Sequence, residues 1–225
     1  MIEIETGTEV MLARRQGRVA VLTFNRPEAR NALHPDTYAT LEHLLPALAE
    51  DDDVGAVMLT GAGGAFCAGG DVKGMNARNS AEAASPVGWE SAVDDLRARQ
   101  RSVSAALHNF PKVTVAAIDG AAAGAGLSIA LACDLRVGSP RAIFTTAFAR
   151  VGFSGDFGGS WFLTQLIGAA KARELYLTAD RFDADQALSL QVVNEILEDA
   201  DFESAAVAYT ARFAEGPLVA QRYIK

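Results

Sequence analysis

Twice in this chain a short, almost wholly apolar run leads straight into a loop built from glycine and alanine. Val54 to Thr60 runs into Gly61-Ala62-Gly63-Gly64, and Val113 to Ile118 runs into the stretch from Gly120 to Gly126. Runs of this length, rich in Val, Ile and Leu, have the composition of strands covered on both faces, as in a parallel sheet flanked by helices. A strand, a glycine loop and then a polar or helical segment therefore predict an α/β fold. Such a turn leaves backbone N–H groups unpaired and pointing outward, with a helix dipole behind them. Two donors of this kind, converging, would make an oxyanion hole, and small residues would let a ligand come close to the backbone. On the loops alone, two tight turns that merely pack strand on helix are an equal reading.

The rest of the chain fits around these two units. Val10 to Ala13 and Val19 to Phe24 flank Gln16-Gly17 and predict a hairpin, with Val19, Val21 and Phe24 mostly on one face. Pro35 and Asp36 suit the first turn of a helix, and Tyr38, Leu41, Leu45 and Leu48 follow at helical steps, with a kink expected at Pro46. Ser85-Pro86 opens a second helical pattern whose stripe is Trp89, Val93, Leu96, Val103, Leu107 and Phe110, stopped by Pro111. An apolar helix is expected through Ala132 and another from near Gly158. Helical spacing then covers Ala169 to Leu177, Asp183 to Leu190 and Phe202 to Phe213, with a short strand at Val192-Val193. Pro217 begins a further helix in which the sequence stops at Lys225, so a truncated C-terminal region is expected.

Composition narrows the function classes. At 225 residues, half hydrophobic and 21% charged, the chain is of single-domain size and can bury a large core. Its formal net charge of -8 argues against a binder of nucleic acid. The two cysteines, Cys67 and Cys133, lie in no CxxC or Cys/His cluster, so neither a disulfide framework nor a zinc site is expected, and no other metal cluster is apparent. Glu3, Glu5 and Glu9 precede the first basic residue, Arg14, which is not the pattern of a secretory signal. The longest apolar stretch, Val113 to Cys133, is broken by Gly120, Gly124 and Gly126 and reads as strand plus helix, not as a membrane span. A cytoplasmic protein with no membrane contact is the expectation.

Nucleotide and hydrolase motifs fail. Gly61-Ala-Gly63-Gly64-Ala-Phe66 and Gly124-Ala-Gly126-Leu-Ser-Ile129 lack the third glycine of a dinucleotide fingerprint, and no GK[ST] occurs. Gly158-Gly159-Ser160-Trp161-Phe162 lacks the last glycine of a nucleophile elbow, and His34, His43 and His108 all precede it, against the order an α/β-hydrolase needs. Surface or capping roles suit these histidines better.

Three segments together carry a family resemblance: Asn25-Arg-Pro-Glu-Ala-Arg-Asn31-Ala-Leu33, Gly64-Ala-Phe-Cys-Ala-Gly-Gly-Asp71-Val-Lys73, and Asp119-Gly-Ala-Ala-Ala-Gly-Ala-Gly126-Leu-Ser-Ile-Ala-Leu-Ala-Cys-Asp134. Taken in order they resemble the crotonase, or enoyl-CoA hydratase/isomerase, superfamily. Leu177 to Leu188 and Val192-Val-Asn194 resemble its C-terminal half. The resemblance implies a crotonase-like ββα spiral core, here residues 1–195, with a C-terminal helical region starting in 196–225. It also implies an acyl-CoA thioester as substrate, CoA being part of that substrate and no separate cofactor, and a homotrimer or hexamer. By motif position the oxyanion donors fall on Gly70 and Ala125, the latter where many members have glycine. The CoA-contacting stretches fall on Glu28, Ala29 and Arg30 and on Ala68, Gly70, Asp71 and Val72, with Arg26 and Arg30 as the cations nearest an anionic ligand.

The acid/base residue distinguishes members of such a family. Hydratases resemble one another in two glutamates that activate water; this chain has Ser128 and Phe148 at the matching places. Asp156, between Phe153 and Phe157, stands where some isomerase-type members carry a proton-shuttling aspartate and dehalogenase-type members a nucleophile. Phe148 replaces the tryptophan those dehalogenases use. Apolar neighbours should raise the pKa of Asp156 and make it a better base; the alternative is a helix N-cap. Double-bond isomerisation through an enolate, with Asp156 as acid/base, is the expected reaction. Hydration with atypical carboxylates, drawn from Glu90, Asp94 or Asp95, and a non-catalytic acyl-CoA-binding protein are the alternatives. Asp119 and Asp134 are expected to stabilise turns, Trp89 and Trp161 to pack in the core, and Cys67 to be inert.

Overall fold

The computed structural model describes residues 1–71, 89–198 and 200–225. Within it the two apolar runs become neighbouring parallel strands, β4 (Ala56–Gly61) and β6 (Val113–Ile118), with Ala56 opposite Val113. They form the middle of a seven-stranded sheet ordered β1-β2-β3-β4-β6-β8-β11. β1 (Ile2–Ile4), β2 (Met11–Gln16) and β3 (Val19–Phe24) pair antiparallel, whereas β8 (Leu135–Gly138) and β11 (Glu195–Ile196) continue the sheet in parallel. A smaller four-stranded sheet, ordered β10-β9-β7-β5, comprises β5 (Ala65–Cys67), β7 (Ala121–Ala123), β9 (Ile143–Thr145) and β10 (Phe182–Asp183). Each glycine loop carries the chain from the large sheet to the small one: β4 passes to β5, and β6 to β7.

Both faces of the large sheet are covered, which is why its central strands are apolar throughout. The two-residue period divides β3 cleanly. Val19 and Val21 face a cluster with Met58, Val115, Phe202, Ala206 and Val207, while Ala20, Leu22 and Phe24 face the main core. Phe24 is therefore on the face opposite Val19 and Val21, a correction to the hairpin reading that strict alternation would have supplied. Its ring packs edge-on against Phe66, centroids 5.5 Å apart.

The helices follow the periodicity with a few departures. α1 (Pro35–Glu50) begins at a capping box on His34 and runs on through Pro46. α2 (Trp89–Gln100) continues through a π-helical turn (Arg101–Ala105) to His108; Val103 and Leu107 are buried, but Leu96 is exposed. α3 (Ala125–Ala132) follows β7, α4 (Gly159–Ile167) and α5 (Ala169–Thr178) pack in succession, and α6 (Ala184–Ser189) follows β10. α7 (Phe202–Ala214) covers the second face of the large sheet, and α8 (Leu218–Ile224) comes last. Val192-Val193 is not a strand: both residues are buried in the core, and the paired residues are Glu195 and Ile196. Trp161 is exposed, against the expectation of core packing, in a T-shaped contact with His108. Val72, the start of the helix at Ser85-Pro86 and the side chain of Trp89 fall outside the described residues. Among the described residues no helix is long and apolar enough to cross a membrane.

Candidate active site

The two loops meet at their glycines. β5 leads from Cys67 into Ala68-Gly69-Gly70, where the Ala68 N–H donates to the Arg30 carbonyl at 2.9 Å and the Leu33 N–H donates to the Gly69 carbonyl at 2.8 Å. That second bond belongs to a parallel bridge between Leu33 and Gly70, and it does not use the Gly70 N–H. Gly69 adopts φ of 93°, and a methyl group there would stand 2.7 Å from the Ala123 carbonyl oxygen and 3.2 Å from the Ala125 nitrogen. Glycine alone allows that approach, and it brings Gly70 beside the first residue of α3. Ala125 opens this buried helix after Gly124, which caps it with no side-chain bond, so the Ala125 N–H has no acceptor within its own helix. Gly70 and Ala125, separated by 55 positions in sequence, are thus brought together at the positive end of one helix.

Asn31 holds the flanking segment in place. Its Nδ2 donates to the Ala62 and Ala65 carbonyls at 2.8 and 2.7 Å, and its Oδ1 accepts the Arg26 N–H at 2.8 Å. Glu28 and Ala29 lie on a short 3₁₀ turn that ends at Arg30 in a left-handed conformation. Arg26 is committed within the protein: it donates to the Ala32 carbonyl at 2.8 Å and pairs with Asp71 at 3.3 Å. It is therefore less available to an anionic ligand than the sequence reading expected. Arg30 has no ion pair among the described residues, and sequence reasoning missed its companions. Arg30, Ala68, Ala123, Thr145, Arg150 and Arg181 border a cavity of about 370 Å³. Its three arginines come from separate segments, so nothing in their local spacing connects them.

On the other side of Ala125 stand the residues at the two glutamate positions. Ser128 and Phe148 are both buried. The Phe148 ring stacks on Tyr176 from α5, and the Ser128 hydroxyl and the Tyr176 phenol both lie close against Gly159. Burial pushes the Tyr176 phenol up to about 12. Asp156 sits in the loop between Gly155 and Phe157. Phe157 is buried and stacks on Tyr38 with centroids 5.9 Å apart, anchoring the loop. The Asp156 carboxyl is partly buried, its Oδ1 has no hydrogen-bond partner among the described residues, and burial pushes it up to about 6. The capping alternative fails: Gly158 precedes α4 and no side chain caps that helix.

The remaining candidates are structural or exposed. Asp119 accepts from Ser139 and Arg141, and Asp134 accepts from the Thr114 N–H and hydroxyl. Both brace turns as expected. Glu90, Asp94 and Asp95 are exposed, and Asp94 pairs with Arg97 at 3.4 Å. Cys67 is buried, with its thiol pushed up to about 12 by burial, the opposite of an activated nucleophile. No cluster of three or more His, Cys, Asp or Glu side chains suited to a metal ion occurs among the described residues.

A ββα core in which two glycine loops, each leading from the large sheet to the small one, meet at the first residue of a buried helix defines a crotonase-fold protein. The family model described as enoyl-CoA hydratase/isomerase matches residues 14–225, and the chain belongs to that family of enzymes. It is similar to a short-chain-enoyl-CoA hydratase of Clostridium acetobutylicum, 32% identical over 96% of this chain and 79% of the relative. It is also similar to the 1,2-epoxyphenylacetyl-CoA isomerase of Escherichia coli, 31% identical over 96% of this chain and 80% of the relative. A Thermobifida fusca structure described as a putative enoyl-CoA hydratase in complex with CoA superposes with a TM-score of 0.84 at 29% identity, covering 96% of this chain and 83% of that one.

Proposed function

We propose that this enzyme isomerises the double bond of an enoyl-CoA, with Asp156 as the single acid/base. The thioester oxygen accepts the N–H groups of Gly70 and Ala125. The Asp156 carboxylate takes a proton from the α-carbon of a 3-enoyl thioester, and the resulting dienolate is stabilised by those two donors. Asp156 then returns the proton to the γ-carbon, leaving the double bond between the α- and β-carbons. The observation that carries this reading is the Asp156 carboxyl itself: partly buried, without a hydrogen-bond partner at Oδ1 among the described residues, and raised into the range of a base that works near neutral pH.

Ser128 and Phe148 supply no carboxylate, so hydration would lack the pair of groups that holds and activates a water. The edges formed by Glu28, Ala29 and Arg30 and by Ala68, Gly70 and Asp71 flank the CoA, and Arg30, Arg150 and Arg181 meet its phosphates. A homotrimer or dimer of trimers acting in the cytoplasm completes the proposal. NMR of 2-enoyl- and 3-enoyl-CoAs incubated with the enzyme in deuterated water tests it. Interconversion of the two isomers with deuterium entering the chain is expected. Formation of a 3-hydroxyacyl product, or binding without exchange, would reject isomerisation.

A further inference from the structure

The peptide that joins Gly69 to Gly70 has a glycine on each side, so no side chain of its own restricts which way its N–H turns. Its orientation is set from outside. The Leu33 N–H donates to the Gly69 carbonyl at 2.8 Å and the Ala68 N–H to the Arg30 carbonyl at 2.9 Å, which lays residues 30–33 alongside 68–70. Arg30 and Asn31 both stand in the left-handed region, at φ of 50° and 58°, a conformation that persists only where the surroundings hold it. The Asn31 side chain, 1% exposed, does the holding. Its Nδ2 donates to the Ala62 and Ala65 carbonyls at 2.8 and 2.7 Å, and its Oδ1 accepts the Arg26 N–H at 2.8 Å. Both amide hydrogens and the amide oxygen are thereby used. Gly61 leaves room for this: a methyl group there would lie 2.7 Å from Asn31 Nδ2.

We propose that Asn31 is a positioning residue for the oxyanion site, acting through the Leu33 N–H on the peptide group between Gly69 and Gly70. The carbonyl that Leu33 holds and the N–H of Gly70 belong to one amide, so fixing the first aims the second. A hydrogen bond accepted at an amide oxygen also draws electron density towards it and strengthens the N–H at the other end. Asn31 reaches this amide from two directions. Two residues on, its own segment carries the Leu33 donor; through Nδ2 it grips Ala65, which opens the strand that leads into Gly70. The side chain thus clamps the segment that aims the peptide to the segment that contains it. Without it, the two would be joined at this point by backbone bonds alone.

This inference rests on the reading that the Gly70 N–H holds the thioester oxygen, and the experiment separates the two. Butyryl-CoA labelled with ¹³C at the thioester carbonyl has no double bond to move, so its carbonyl stretch is read by infrared difference spectroscopy, and its α-proton exchange by NMR in deuterated water. With the unaltered enzyme the stretch should fall on binding. Asn31→Gly removes the side-chain bonds and suits the positive φ; it should lose part of that shift and slow exchange by ~10- to 100-fold, with the affinity for butyryl-CoA within about threefold. Asn31→Asp keeps the bond from the Arg26 N–H and loses the two at Nδ2, and should show the same losses. Thr210→Ala, which cuts a buried bond to the Ala206 carbonyl within α7, is the control for general loosening and should leave the stretch as it is. An unchanged stretch and exchange rate in the Asn31 variants, or an equal loss in Thr210→Ala, would overturn the role of Asn31. Failure of both Asn31 variants to fold would assign the residue to the fold itself and overturn it as well. No shift with the unaltered enzyme would overturn the oxyanion reading, and this proposal with it.

Discussion

The rings of Phe148 and Tyr176 lie parallel, tilted by 3° with centroids 6.1 Å apart. Gly155 crosses them closely: a methyl group there would come 2.9 Å from the Tyr176 ring and 3.6 Å from that of Phe148. The stacked pair therefore supports the loop that presents Asp156, and Phe157 pins its other side on Tyr38. A carboxyl held this way in apolar surroundings resists ionisation, and this gives a single acidic residue a pKa suited to moving protons near neutrality.

The first expectation concerns rate against pH. If the Asp156 carboxylate is the base, kcat/KM should rise with pH through about 6, where this carboxyl titrates. Asp156→Asn should lower kcat by on the order of 10²–10⁴ at pH 7 and remove that limb of the profile. Full turnover by Asp156→Asn would end the assignment.

Stability should move the other way. The carboxyl titrates near its ordinary 3.8 in the unfolded chain and about 6 in the folded one. Below 3.8 both states are protonated and the group contributes nothing; above about 6 both are ionised, and the folded state carries the cost of the partly buried charge. Asp156→Asn should therefore unfold with a free energy higher by on the order of 1–2 kcal/mol at pH 7, a figure reduced for partial solvent access, and the gain should vanish near pH 4. Urea titrations of both proteins at the two pH values read this directly. A variant less stable than the parent at pH 7 would contradict it.

Much of this architecture was legible because it depends on local pattern. Val54 to Thr60 and Val113 to Ile118 are buried on both faces and so are apolar at nearly every position, which makes them visible without knowledge of their partners. Asp156 stood out because it is acidic amid Phe153, Gly155 and Phe157. The errors arose where neighbours distant in sequence decide. Arg26 looked available until Asp71 and the Ala32 carbonyl were seen to occupy it. Val192-Val193 has strand composition, but the sheet pairs Glu195 and Ile196 instead. Tyr176 gave no signal at all, since a tyrosine on a helix becomes informative only when Phe148, Ser128 and Gly155 arrive from other segments.

Gly69 offers a test of the oxyanion geometry that touches neither donor. An added methyl would press on the Ala123 carbonyl and the Ala125 nitrogen, and φ of 93° is strained for any residue with a Cβ. Gly69→Ala should push the Gly70 and Ala125 loops apart and lower kcat by on the order of 10²-fold, with a smaller effect on KM. Steady-state kinetics beside a thermal melt would show whether catalysis falls before the fold is lost. Unaltered kcat would mean the two loops do not have to meet this closely.

On the proposed function, the arginines decide how a chain of net charge -8 holds an anionic ligand. The overall field repels CoA, so attraction has to come from a local group of cations, and Arg30, Arg150 and Arg181 border one cavity. Arg150 also pairs with Asp180 at 3.8 Å, an exposed contact that costs little to break. Arg150→Gln and Arg181→Gln should each raise KM for an acyl-CoA by ~3- to 10-fold and leave kcat within about twofold, because the nucleotide end lies away from the reacting carbons. The effect should shrink in 0.5 M salt, roughly a Debye length of 4 Å, where exposed charges are screened. An acyl-pantetheine thioester, which lacks the nucleotide phosphates, should show no difference between the parent and either variant. Equal losses with both thioesters would place these arginines in the structure of the site and not in contact with phosphate.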